Sequence, residues 1–246
     1  MNEFVDKGLS SIAAYAPPDN RFYEFNVTAT GEWLWNSKGR DAREFAAAWA
    51  TRRGIDDPEK AADWAVTLGP VGWDVYGSLV LTRQRRDSDA RWIKNRRAPG
   101  KRGMFSYLPN IEHIDSRLED CRRAMRLARE MNELDLIAET KIIHGYVRMV
   151  KALHLIAQTV GENTQLSADN VKNIRKHYAD LADAGEQVAV NLQLWRDQVA
   201  PGFHDIYFQF SVDTARRTVK TVGEALESVG VDLNMANTEG TSKKGG

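Results

Sequence analysis

Four stretches between residues 111 and 229 carry apolar residues at spacings of three and four, and that period leaves few folds open. The first runs through Ile114, Leu118, Cys121 and Met125, and the second through Tyr146, Val150, Leu153 and Ala157. The third holds Ile174, Leu181, Val188 and Leu192, and the fourth Ala215, Val219, Val222 and Leu226. On a helix such residues form one stripe, which must be covered by another element. The breaks near Asn132, Gly161 and Pro201-Gly202 are short, so successive helices double back. The pattern predicts a mainly α protein with a four-helix antiparallel bundle over 110–230. Its helices fall near 111–131, 134–160, 168–199 and 204–229, with Ser167 capping the third.

Residues 37–109 read as short helices and a basic connector. Asp41 is a cap for a helix carrying Phe45, Ala48 and Trp49, which Gly54 closes. Asp57 followed by Pro58 starts another, because proline has no N–H to lose in a first turn. Gly69-Pro70 reads as its end, with a further short turn through Trp73 and Tyr76. The stretch from Arg83 to Arg102 reads as a solvated linker, since Asp87 and Asp89 interrupt its charge. Residues 1–36 form a lead, and 231–246, small and polar from Asn234 onward, a disordered tail.

One segment breaks the helical pattern. In "FYEFNVTATGEWLWN", residues 22–36, Phe25, Val27 and Ala29 alternate with Asn26, Thr28 and Thr30, the period of a half-buried strand.

Charge narrows the functional classes. Lys and Arg number 34, as do Asp and Glu, so nothing general draws the chain to nucleic acid or an anionic membrane. No apolar run spans a bilayer, and "MNEFVDKGLSSIAAYAPP" lacks the design of a signal peptide. The expectation is a soluble protein. The single Cys121 excludes an internal disulfide and lies on an apolar seam, so it reads as a small core residue.

Recognisable chemistry is sparse. The chain has no phosphate-binding loop, dinucleotide fingerprint, zinc pattern or nucleophile elbow. His113, His144, His154, His177 and His204 are scattered, and no Glu-x-x-His unit supports a di-iron bundle. Neither a metal nor a cofactor is expected. The tryptophans remain. Trp49 and Trp64 fall on helical apolar faces and read as core. Trp33 and Trp35 share a face of the expected strand, with Glu32 and Asn36 beside them. An aromatic wall with nearby amide and carboxylate groups suits a sugar ring.

The stretch from Tyr23 to Gly77, with its "WLWN" step and the following "EFAAAWA" helix, resembles the exit of the catalytic barrel in certain glycoside hydrolases. These are the β-N-acetylglucosaminidases of families 20 and 84 and, more loosely, the α-glucuronidases. The resemblance implies that residues 22–36 are the last strand of an incomplete (β/α)8 barrel, and that a helical C-terminal domain follows. Active sites of such barrels lie at the C-terminal strand ends. The resemblance thus puts Trp33 and Trp35 on the wall of a sugar subsite, with Asn36 or Glu32 binding a hydroxyl. The carboxylate pair that cleavage needs is not recognisable in the chain. The first functional expectation is therefore the C-terminal portion of a carbohydrate-active hydrolase, not catalytic alone, with carbohydrate and the missing barrel part as partners. The alternative is a helical interaction or scaffolding protein with a structural aromatic cluster. Self-association is expected from unpaired strand edges.

Overall fold

The computed structural model describes residues 6–8, 24–77, 88–96, 104–161, 165–199 and 206–233. The helices that the seams predict are present. α6 (Ile111–Met131) and α7 (Leu134–Val160) are joined at Asn132, which adopts the left-handed conformation at φ 57° and ends the first of them. α8 (Ala168–Val199) starts where Asn170 N–H donates to Ser167 Oγ, and α9 (Ile206–Ser228) follows. The break at Pro201-Gly202 and the tail from Asn234 lie outside the described residues.

The ion pairs fix the antiparallel order. Lys151 of α7 reaches back to Asp115 of α6, Arg148 of α7 to Asp183 of α8, and Arg216 of α9 to Glu186 of α8. Close packing depends on glycine where α7 meets α8 and where α8 meets α9. A Cβ on Gly145 would lie 2.5 Å from Val188, and one on Gly185 would lie 2.6 Å from Val219. Tyr146, Met149, Leu153, Ile174, Leu181 and Leu226 form the fully buried centre, and Leu192 is buried at its rim.

Three shorter helices precede this array and continue it. α1 (Glu24–Trp35) packs on α2 (Ala42–Arg53), and α2 on α3 (Pro58–Gly77), which lies along α6. The expected caps of α2 are present: Asp41 and Glu44 form a reciprocal capping box, and Gly54 closes the helix at φ 73°.

Three differences from the sequence reading have physical causes. Residues 24–35 form a helix rather than a strand, and no strand occurs among the described residues. Phe25, Ala29 and Trp33 stand four apart, so they share one helical face against Phe45 and Trp49, while Val27 is left exposed. No barrel remnant is present in this segment. Gly69-Pro70 does not end α3, which runs on to Gly77. Pro70 forfeits one backbone bond, but Leu68, Val71 and Val75 on the same face are buried, and that burial carries the helix across it. Part of the basic connector is helical: α4 (Ser88–Lys94) buries Ala90, Trp92 and Ile93 against α9 and α7. The short α5 (Met104–Tyr107) leads into α6.

Candidate functional site

The α1–α2 hairpin gathers the aromatic residues that the sequence singled out. Phe25 meets Phe45 and Trp49 edge-on, with ring centroids 5.2 and 5.1 Å apart. Trp33 tilts onto Phe45 at 5.7 Å, and its indole N–H donates to the Arg40 carbonyl at 2.9 Å. Arg52 and Arg53 in the last turn of α2 lie over the Phe45 and Trp49 rings. This is a closed cluster.

The residues expected to form a sugar pocket are divided by the helix. Trp33 joins the cluster just described. Glu32 accepts from Arg40 at 3.0 Å. The Asn36 side-chain oxygen accepts from the Lys38 N–H at 3.3 Å, within the turn that leads to α2. Trp35 points the other way and is 93% exposed. On a strand, residues two apart share a face; on a helix they lie about 200° apart, which separates the two indoles.

What the helix creates is a second face. Val27 (40% exposed), Leu34 (50%) and Trp35 recur at helical spacing on the outside of α1. Gly31 sits among them, and a Cβ there would meet nothing within 4 Å. No charged residue lies on this arc from Val27 to Trp35, because Glu32 is turned to Arg40. The sequence signal was present in the helical spacing of 27, 31, 34 and 35, but it is hidden when the segment is read with a period of two.

Polar clusters elsewhere tie helices together. Asp74 near the end of α3 accepts from Arg117 Nε at 2.7 Å and faces His113 Nε2 at 3.2 Å, both on α6. Trp64 donates to the buried Thr140 hydroxyl at 2.9 Å, and the Thr140 O–H in turn donates to the Leu136 carbonyl. His144 is held below the usual imidazole range by burial, and by the Arg148 and Arg122 guanidinium groups. Burial pushes the Glu139 carboxyl up to about 7; Asp135 adds to this and Arg53 opposes it. The Cys121 thiol is buried and pushed up to about 12, which leaves it unreactive at neutral pH. Among the described residues no group of three or more His, Cys, Asp or Glu side chains could hold a metal ion, and no helix is long and apolar enough to cross a membrane.

No family model, curated protein or solved structure matches the chain.

Proposed function

We propose that the chain is a helical interaction protein that docks a partner on the outward face of α1. One observation carries this reading: α1 is apolar on both sides. Phe25, Ala29 and Trp33 are turned to the core, while Val27, Leu34 and Trp35 remain in water. The outer face of a surface helix is ordinarily polar, and this one presents apolar side chains instead. Covering apolar surface returns about 25 cal/mol per Å². A tryptophan at the centre of a small contact is the residue type that most often dominates binding. A photo-crosslinking residue at position 35 should capture protein in the cells that make the chain. The same residue at position 134, where Leu134 is also exposed, should not. Equal capture at both positions, or none at 35, would sink the reading.

The same residues support a second reading, the C-terminal part of a carbohydrate-active hydrolase. Trp35 offers a bare indole face, and the Asn36 amide follows it directly. Against it stands the loss of the strand that would have set Trp33 beside Trp35. On this reading the purified chain does not hydrolyse aryl glycosides, because cleavage needs two placed carboxyl groups. It should bind N-acetylglucosamine weakly, and lose that binding on Trp35→Ala but not on Trp195→Ala. Such a result would move the assignment to carbohydrate.

A further inference from the structure

We infer that α4 carries a binding site for the phosphate backbone of a nucleic acid, with Arg91 and Lys94 as its contacts. The site lies on a different helix from the docking face of α1 and does not depend on it.

The chain is neutral as a whole but not along its length. Between Arg83 and Arg102, seven arginines and two lysines stand against Asp87 and Asp89, a net charge of +7, so the remainder of the chain carries −7. A local excess of this size attracts polyanions even where the whole molecule does not. A loose linker would spread that charge through solvent. Here the fold fixes its centre. Ala90, Trp92 and Ile93 are buried against α9 and α7, and Arg96 donates to the Val229 carbonyl at 3.0 Å. Arg91 and Lys94, three apart on α4, are left exposed on one side of it. Elsewhere the guanidinium groups of Arg117, Arg148 and Arg216 are held by Asp74, Asp183 and Glu186. Among the described residues no acid holds Arg91 or Lys94 in this way.

Two features of this face select the partner. The exposed residues Arg91, Lys94 and Asn95 are all polar. An amphipathic helix on an anionic bilayer uses apolar side chains as well as charge. A protein partner is held by a buried aromatic or aliphatic centre. On α4 the apolar side chains lie in the core, so neither is served. Phosphate contacts need only cations and N–H donors, which these three residues supply. The stretch also uses arginine over lysine, seven to two. The guanidinium fork matches two phosphate oxygens and is more weakly hydrated than an ammonium group. Contacts of this kind position a backbone without reading its bases, so the site takes RNA or DNA of any sequence.

Fluorescence anisotropy of the whole purified chain tests this, with a labelled single-stranded RNA and a labelled DNA duplex of mixed sequence. Both should bind with a Kd on the order of 10 µM near physiological salt, and log K should fall linearly with log salt. Arg91→Gln with Lys94→Gln should weaken binding by about tenfold at low salt and reduce the slope by roughly 1.5. Arg91→Lys keeps the charge and should leave the slope unchanged. Arg123→Gln with Arg129→Gln removes two charges from exposed positions on α6 and should leave affinity and slope as they were. All four positions are exposed, so the melting temperature should hold in every variant. No binding at low salt, or an affinity that does not respond to salt, would overturn the inference. Equal losses in the two double variants would show that overall charge drives binding, and would overturn the site. If phosphatidylserine vesicles capture the chain more tightly than either nucleic acid, through the same two residues, the partner is a membrane and the inference falls.

Discussion

Among the described residues Tyr146 is the largest side chain wholly enclosed by the fold, and its hydroxyl has no hydrogen-bond partner. Burial pushes its phenol well above the usual tyrosine range, so it stays protonated. A buried polar atom without a partner costs about 1–3 kcal/mol of desolvation. Tyr146→Phe should therefore leave stability unchanged or raise it by up to ~1 kcal/mol, measured by chemical denaturation. A loss of 2 kcal/mol or more (about the worth of a charged hydrogen bond) would reveal a partner for the hydroxyl. Glu139 makes the opposite kind of statement. Its folded carboxyl titrates near 7 instead of near 4.5, so between those values the folded state binds the extra proton. Stability from this group is present below the ordinary carboxylate value and is lost as pH rises toward 7. His144, His154 and His177 are all shifted down, and they act in reverse: their folded forms resist protonation, so they cost stability as pH falls through 6.5. Comparing melting curves of Glu139→Gln and the native chain isolates the first effect. The variant should gain most above pH 7 and little near pH 4.5, and a difference independent of pH would refute the assignment.

At the scale of elements, the α7–α8 pair depends on a missing side chain. Gly145 lets the helices close until Val188 fills the space where a Cβ would stand. Valine is stiff about its first torsion and cannot swing aside. Gly145→Ala should destabilise the protein by about 1–3 kcal/mol, although alanine is the better helix former. A rise in melting temperature would show that the helices can separate at little cost. The long helices were legible in the sequence because their seams repeat over many turns, and helix ends were legible where caps are chemically specific, as at Asp41, Gly54 and Ser167. Two element types were not. α1 is short, and the positions of Phe25 and Ala29 satisfy a period of two as well as four, so burial of Trp33 rather than Trp35 decides between them. α4 carries its apolar content in three residues, Ala90, Trp92 and Ile93, with arginines around and between them, and what makes it a helix is its contact with α9, some 120 residues away. The candidate surface was half legible. Trp35 stands out in the sequence as a tryptophan without an evident core role, but its companions Val27, Gly31 and Leu34 emerge only once the segment is a helix.

Across the whole molecule, each large helix packs mainly on its neighbours in sequence, α2 on α3, α6 on α7, α7 on α8 and α8 on α9. Local pairing of this kind favours fast folding. Long-range ties depart from the pattern at α4. There Arg96, in the left-handed conformation at φ 45°, donates to the Val229 carbonyl at 3.0 Å, just beyond the end of α9. Arg175 of α8 donates to the Asp232 carbonyl nearby, and Val231 is buried between these attachments. Arg96→Ala should lower stability by about 1–2 kcal/mol and raise hydrogen exchange in α9 more than in α6. Uniform acceleration across both helices would show that the tie does not act locally. The tie also bears on how the protein would respond to force. A row of hairpins pulled at its tail would unzip one helix at a time, each step under a small load. With Arg96 clasping the far side of α9, tension applied at Asp232 is shared between the last helix and α4, which is anchored on α7. The first rupture must then break several contacts together, so the molecule resists pulling as a buckled strap does.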